Sequence, residues 1–238
     1  MRRISLYLLI CLLPAACTLQ QTPVRTLQTT IPAADISSLA LEVNVGAVTI
    51  TPSADSLVHV SVGLKHNNSF FGIFNTGGNA AIKAAALTQE SSNGVLKLGI
   101  RYPSNTDAGG VSEDWTLAVP AGMHISSHLN VGKLQVSGLS GGVEADLNIG
   151  KVALDLPSGA IKVSVNIGKI TAVADTLNYG PVNLAASVGD AALRVNGKPA
   201  GDRQQQGSGK NVHYQGQGQE PISLSVNTGK VALDLKGK

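Results

Sequence analysis

Side chains that could carry out acid–base chemistry or bind a metal are few in this chain and widely spaced. The five histidines are His59, His66, His124, His128 and His213. His124 and His128 are four residues apart, and on a strand that spacing separates two side chains by roughly 13 Å. One metal ion cannot bind both, so the sequence predicts no metal site and no cofactor.

Pairs of carboxylates are the second chemistry to consider, because glycan-cleaving enzymes place two of them beside the scissile bond. Glu113–Asp114 and Glu144/Asp146 are such pairs, but each lies on a predicted strand surface with no acid–base partner nearby in the sequence. No glycine-rich phosphate-binding loop is present. We therefore predict a protein that is not an enzyme, and keep a polysaccharide-active enzyme as an alternative.

The composition indicates which kind of domain positions these residues. Of 238 residues, 43% are hydrophobic, 3% are aromatic and 14% are charged. This is too apolar for a disordered chain, and no apolar run outside the N-terminus reaches the roughly 18 residues of a membrane span. Without Arg2 and Arg3 there are 16 basic and 15 acidic residues, which argues against nucleic acid as a partner. We expect one β-rich globular domain.

Residues 1–16 have the features of a signal peptide, in which two arginines precede an apolar run and small residues lead to Cys17. Residues 13–17 resemble the bacterial lipobox, although Pro14 stands where that motif has a larger aliphatic residue. The resemblance implies that Cys17 is acylated and becomes the N-terminus of the mature chain. The alternative is ordinary cleavage, with Cys17 removed or left as a free thiol.

Lipidation would account for the cysteine content. Cys17 is the only cysteine outside the signal peptide, and an unpaired thiol is unusual in an exported protein. Two or more acyl chains would provide a lasting membrane anchor. Residues 17–35 are then a lipidated N-terminus with a polar tether, and by resemblance to bacterial sorting rules Thr18 favours the outer membrane. The domain can face either the periplasm or the cell surface.

An internal repeat is the strongest pattern in the sequence. The motif Asn-x-Gly-Lys recurs at a constant interval in residues 129–133, 147–151 and 165–169. A fourth copy at 186–190 has Ser187 and Asp190 in place of the asparagine and the lysine, and a fifth copy follows at 226–230, both after longer intervals. Residues 43–48 are an upstream relative. The predicted turn residues are Asn130, Gly132, Asn148, Gly150, Asn166, Gly168, Gly189, Asn227 and Gly229.

Apolar and polar residues alternate inside each repeat, as they do in β-strands. Val152, Leu154 and Leu156 share one face, and Val165 and Ile167 share a face before the next corner. The phase reverses at the glycine, which indicates a bend in the chain. Each unit is therefore predicted to contain two short strands with a corner at Asn-x-Gly.

A single unit cannot bury its apolar face, but stacked copies can. We therefore predict an all-β domain built as a β-solenoid from two-strand repeats of about 18 residues. An antiparallel sandwich of hairpins is the alternative, because it permits the same alternation. Residues 197–219, between the fourth and fifth copies, are predicted to be an insertion loop, either a spacer or a recognition loop.

Four lysines follow the corner glycines, and stacking would place them in one column on the outside of the domain. They are Lys133, Lys151, Lys169 and Lys230. The column could bind an anionic glycan of the envelope, such as lipopolysaccharide phosphates. Alternatively it is a solvated rim that suppresses end-to-end sheet pairing.

The three phenylalanines form a second candidate contact surface. Phe70, Phe71 and Phe74 are all the phenylalanines in the chain and lie close together in a glycine-rich segment. They could insert into a partner or a membrane. They could equally fold back and cover an open end of the stack.

The segment Trp115–Ile125 has the sequence WTLAVPAGMHI and leads through a Val-Pro-x-Gly step into the repeated Gly-x-Val-x-Leu units. Over residues 36–238 the chain resembles the bacterial putative-adhesin family, a group of β-strand-repeat envelope domains. The resemblance implies a right-handed parallel β-helix-like fold and no known catalytic residues.

Together these features predict a non-catalytic envelope lipoprotein that uses this domain for adhesion or interaction at the cell surface. The expected partners are the membrane, through the lipid anchor, and an envelope protein or anionic glycan. A periplasmic structural or sensory scaffold that binds another envelope component is the alternative function.

Overall fold

The computed structural model describes residues 24–66, 78–106 and 108–237. The predicted signal peptide, Cys17 and the three phenylalanines Phe70, Phe71 and Phe74 lie outside these ranges and stay predictions. Within the described part of the chain the one helix is Gly78–Ala84, and no helix is long and apolar enough to cross a membrane.

The described residues form an all-β fold with a single 14-stranded sheet, mostly parallel but mixed. The elements are β1 Arg25–Pro32, β2 Ser38–Pro52, β3 Leu57–His66, α1 Gly78–Ala84, β4 Ala86–Ser92, β5 Val95–Arg101, β6 Val111–Val119, β7 His124–Ser137, β8 Val143–Leu156, β9 Ile161–Asp175, β10 Tyr179–Val195, β11 Lys198–Pro199, β12 Asp202–Gln206, β13 Gly209–Gln215 and β14 Glu220–Lys236. The all-β prediction is confirmed.

Six long strands lie side by side in parallel and carry the repeats. Their spatial order is β2, β7, β8, β9, β14 and β10. Strands β7, β8 and β9 pair with an offset of one full repeat, so that Gly132 lies beside Gly150 and Gly150 beside Gly168. This parallel pairing of equivalent positions excludes the antiparallel sandwich for the repeats.

Each long strand consists of two arms that meet at the corner glycine, and each arm buries alternate side chains. In β8 the buried residues are Val143, Ala145 and Leu147 before the corner and Val152, Leu154 and Leu156 after it. Equivalent aliphatic residues pack over one another in successive strands and form one continuous core. At about 25 cal/mol per Å² of apolar surface, these columns are the main stabilising contribution to the fold.

The face predicted for Ile167 is wrong. Val165 is buried, whereas 48% of Ile167 is exposed, although the two residues are separated by two positions. The reason is that the bend begins before the glycine. Asn166 and Ile167 both lie on the convex side of the corner, so the phase reverses across several residues rather than at Gly168 alone.

The fifth repeat does not follow the fourth in space. Strand β14 pairs with β9 on one side and with β10 on the other, so it lies between the third and fourth copies. The interval from Gly168 to Gly189 is longer than that from Gly150 to Gly168, and this difference explains how β10 reaches its place. The three extra positions add roughly 10 Å of extended chain, enough to pass the additional strand spacing of about 4.8 Å.

Residues 197–219 are not the loop that the sequence predicts. They contain β11, β12 and β13, and β13 pairs antiparallel with β10 along Pro181–Ala186 while β12 pairs with β13. Val212 is fully buried, and the β12 residues are all exposed. The segment therefore extends the sheet beyond β10 with a polar hairpin, which protects the hydrophobic columns from solvent.

Strands β1, β3 and β6 form the edge of the sheet opposite the β12–β13 hairpin. Residues 25–32 belong to the predicted tether but form β1 and pair antiparallel with β3, because Leu27 and Ile31 alternate with polar residues and pack on the core. Helix α1 lies between β3 and β4 in the chain. Its alanines favour a helix, and Ile82 is buried against the sheet.

Candidate functional site

Only glycine fits at the corner of the long strands. A Cβ atom on Gly150 would lie 1.9 Å from the carbonyl oxygen of Gly132, and one on Gly168 would lie 1.8 Å from that of Gly150. The φ angle of Gly150 is 156°, which side chains rarely allow. The five predicted turn glycines line up in space in the order Gly132, Gly150, Gly168, Gly229 and Gly189, and Gly46 of the upstream relative extends the row beside Gly132.

Two residues before five of the six glycines, all except Gly189, an asparagine side chain continues the stacking, and we call this column the asparagine ladder. Its members are Asn44, Asn130, Asn148, Asn166 and Asn227. Each Nδ2 donates a hydrogen bond to the Oδ1 of the preceding ladder residue at 3.0–3.1 Å. The ladder satisfies these exposed amides and locks neighbouring strands in the same register.

Between the ladder and the glycines lies a column of exposed apolar side chains, the aliphatic ridge. It contains Val131, Ile149, Ile167 and Val188, which are 37–49% exposed, with Thr228 between the last two. Among the other large hydrophobic residues in the described ranges, only Val24 and Leu177 are comparably exposed. The core does not need these side chains, because the inner columns are filled by other residues.

On the other side of the glycines lies the lysine column that the sequence predicts. Lys133, Lys151, Lys169 and Lys230 are exposed neighbours on four adjacent strands. Within the described ranges none of their ammonium groups forms an ion pair with a carboxylate. Uncompensated like charges on neighbouring strands repel one another, so the column is destabilising unless a counter-charge meets it.

Beyond the last lysine the charge is neutralised within the protein. Asp190 occupies the position next to Lys230 on β10, and Lys210 of the β13 hairpin donates to Asp190 Oδ1 at 2.6 Å. This hydrogen bond, with the charges of Lys210 and Lys230, lowers the pKa of Asp190. The column thus ends at an internal ion pair, and its four lysines are confined to β7, β8, β9 and β14.

We call the asparagine ladder, the aliphatic ridge and the lysine column together the corner surface. It combines apolar, hydrogen-bonding and cationic strips that run parallel to one another across the strands. The sequence predicts the asparagines, glycines and lysines, and the structure brings them together. It does not predict the ridge, whose signal is the consistently aliphatic residue before the corner glycine in the first four copies.

A second feature is a cleft of about 400 Å³ at the β2 end of the stack. The backbone pairing of β2 with β5 ends at Leu41, and the pairing of β2 with β6 begins at Gly46. The cleft lies in the gap between these two paired segments. Its buried acidic group is Glu113, which accepts hydrogen bonds from Trp115 Nε1 at 2.8 Å and from the Tyr102 hydroxyl at 2.9 Å. Burial raises the pKa of Glu113 although both hydrogen bonds oppose the change.

The raised pKa of Glu113 predicts a pH-dependent stability. Its contribution is fully present below about pH 4.5, the ordinary pKa, and is lost as the pH rises through the higher folded pKa. A Glu113→Gln variant does not titrate, so the free energy of unfolding of the wild type should fall relative to the variant over this window. The slope is at most about 1.4 kcal/mol per pH unit, and urea denaturation at a series of pH values measures it.

Glu144→Gln is the matched control for this experiment. The pKa of Glu144 is lowered, first by the hydrogen bond that Lys162 donates to it at 2.7 Å. Any contribution of this exposed carboxylate to the free energy of unfolding is therefore lost as the pH falls, which is the opposite direction to that expected for Glu113. Parallel wild-type and Glu113→Gln curves between about pH 4 and 8 would contradict the role of burial.

The other residues considered for chemistry do not form a site. Asp114 pairs with Lys65, and the half-buried His124 has its Nδ1 at 3.2 Å from the carbonyl oxygen of Gly141. His128 lies beside Glu42 and Asp146 on adjacent strands. In the ranges that the structure covers, no group of three histidine, cysteine or acidic side chains could hold a metal ion.

No family model matches this sequence, and no curated protein matches it. Among solved structures, the fold resembles that of a putative cell adhesion protein from Clostridium sporogenes, with a TM-score of 0.58 and 16% identity over 90% of this chain and 99% of that chain. Putative adhesins from Bacteroides fragilis and Parabacteroides distasonis align over 89% of this chain and 97% of theirs, with 13% and 11% identity and TM-scores of 0.31 and 0.24. The first comparison establishes a shared fold.

Proposed function

We propose that this protein is a non-catalytic lipoprotein of the bacterial cell envelope whose domain is an adhesion or interaction module. One observation carries the proposal, namely that the corner surface exposes an aliphatic ridge beside four lysines that have no carboxylate partner in the described ranges. Neither feature stabilises the isolated domain. The fold that the chain shares with the putative cell adhesion protein from Clostridium sporogenes agrees with this role.

The architecture that we propose for the domain is a β-solenoid, a right-handed parallel β-helix-like stack. The pairing of β7, β8 and β9 one repeat apart supports it, as do the buried columns and the repeated corner. A stack of this kind repeats one surface motif on every coil. It can therefore offer a long, periodic contact surface without a dedicated binding loop.

The membrane anchor is proposed to be Cys17, acylated after removal of residues 1–16, with the outer membrane as its location. Strand β1 begins at Arg25, so only Thr18–Val24 would separate the anchor from the sheet. A segment of that length spans at most about 25 Å, which would keep the domain close to the membrane.

Cys17→Ser is expected to abolish membrane association, since removing the acylation site removes the lipid chains. Detergent phase partitioning and acyl-chain labelling of cells that produce the variant measure the effect. Cys11→Ser, within the predicted signal peptide, is the matched control and should partition like the wild type. Unchanged partitioning of the Cys17 variant would refute lipidation.

Protease treatment of intact cells tests the location of the domain. Digestion of the domain in intact cells supports display at the surface, whereas resistance until the cells are lysed supports the periplasmic scaffold. A pull-down from native envelopes, comparing wild type with a Lys→Gln variant of the lysine column, tests the interaction itself. Equal capture by both proteins would contradict the assignment of the corner surface as the contact site.

A further inference from the structure

We infer that the corner surface docks on an anionic phospholipid bilayer. The inference rests on the proposed function, and specifies the partner of the same surface. Its first support is charge. Four ammonium groups without a carboxylate partner in the described ranges lie on adjacent strands, in a line of about 14 Å at a strand spacing of roughly 4.8 Å.

The second support is the aliphatic ridge beside this column. Val131, Ile149 and Ile167 each precede a column lysine by two positions, so these three ridge side chains have a cation next to them across the glycine. A bilayer interface presents the complementary arrangement, with phosphate groups directly above hydrocarbon. A soluble anionic polymer would engage the lysines but would leave the ridge exposed to water.

The third support is shape. The ridge lies on the convex side of the corner, and no ridge residue lines the clefts of about 400 to 510 Å³ beside Thr29, Pro157 and Glu113. Only the last of these clefts touches the corner surface, at Asn44 and Asn130 at its β2 end. A convex strip fits a surface larger than itself rather than a small ligand. The corner surface also contains no aromatic side chain on which a sugar ring could stack.

The fourth support is the position of the chain terminus. In the sheet order, β1 is four strand spacings from β7, the first strand of the lysine column, or roughly 19 Å. If Cys17 is lipidated, the segment Thr18–Val24 before β1 allows the anchor and the corner surface to contact the same bilayer. Two weak attachments would then reinforce one another through their high effective concentration.

Vesicle co-sedimentation tests the inference with a chain that starts at Thr18. This chain retains every described strand and lacks Cys17, so any binding comes from the domain. We expect binding to vesicles of phosphatidylglycerol and phosphatidylcholine, weakening as salt is added, and none to phosphatidylcholine alone. Replacing all four column lysines with glutamine should weaken partitioning by about 600-fold, because each basic residue near an anionic surface contributes roughly a factor of five.

The matched control replaces four exposed lysines elsewhere with glutamine and so changes the net charge equally. These are Lys83, Lys97, Lys198 and Lys236. This variant should keep most of its binding. Equal loss in both variants would overturn the inference, since attraction would then depend on net charge and not on the corner surface.

Ile149→Ser with Ile167→Ser distinguishes a bilayer from a soluble polyanion. Both positions are exposed, so the fold should be retained, and circular dichroism checks this. We expect binding to fall about tenfold as apolar burial is lost. Unchanged vesicle binding by this variant would overturn the inference in favour of a polyanion site. Absence of vesicle binding while envelope capture persists would overturn it too, and leave the proposed function standing.

Discussion

Gly150→Ala is expected to prevent the repeats from stacking, although it adds only one methyl group. Its Cβ would lie 1.9 Å from the carbonyl oxygen of Gly132, where backbone on both sides leaves no room to move. A φ of 156° adds strain for any residue with a side chain. We expect a loss of about 4 kcal/mol or more, measurable by urea denaturation, or failure to fold.

Gly122→Ala is the matched control, because its Cβ would meet no heavy atom within 4 Å. The free energy of unfolding of this variant should lie within about 0.5 kcal/mol of the wild-type value, as is usual for surface substitutions. If Gly150→Ala is as stable as Gly122→Ala, the close approach of neighbouring corner backbones does not exist in solution. The stacking of the repeats would then have to be abandoned.

Ending the chain at Gln219 removes β14 and should destroy the cooperative fold. The strand contributes six fully buried aliphatic side chains, and each contributes about 1.5–3 kcal/mol. The total, on the order of 10 kcal/mol, equals the entire stability of a typical domain. The residues lost from the core are Ile222, Leu224, Val226, Val231, Leu233 and Leu235. Thermal unfolding followed by circular dichroism should show no transition comparable to that of the full chain.

A synthetic peptide of residues 220–238 should restore the fold of the truncated chain, because it supplies the strand that separates β9 from β10. The same peptide carrying Gly229→Val is the control, since its side chain would meet the backbone of Gly168. If the truncated chain without peptide unfolds at the same temperature as the full chain, the position of β14 in the sheet is contradicted.

The sequence predicts those parts of the fold in which the same residue type recurs at equivalent positions for a single physical reason. The constant repeat period implies that equivalent positions lie on neighbouring strands, and the corner glycines and lysines then fall into columns. The β12–β13 hairpin escapes the same reasoning because Asp202–Gln206 is polar on both faces and shows no alternation. Its strands form through backbone pairing with β10, which composition does not reveal.

The sequence contains only part of the information that determines the order of the strands. The longer interval between Gly168 and Gly189 is consistent with a connection that passes one extra strand, but a spacing alone does not show which strand fills the gap. Likewise the aliphatic residue of Asn-x-Gly follows the alternation of a buried strand. Only the geometry of the bend shows that Ile149 and Ile167 point to solvent.

The position of β14 also affects the way in which the chain acquires its structure. In the chain β10 comes before β14, yet in the sheet β14 lies between β9 and β10. β10 and β14 carry the same pattern of inward side chains, so hydrophobic burial alone does not distinguish the two strands as partners of β9. The length of chain between β9 and β10 is therefore what keeps the place beside β9 open for β14.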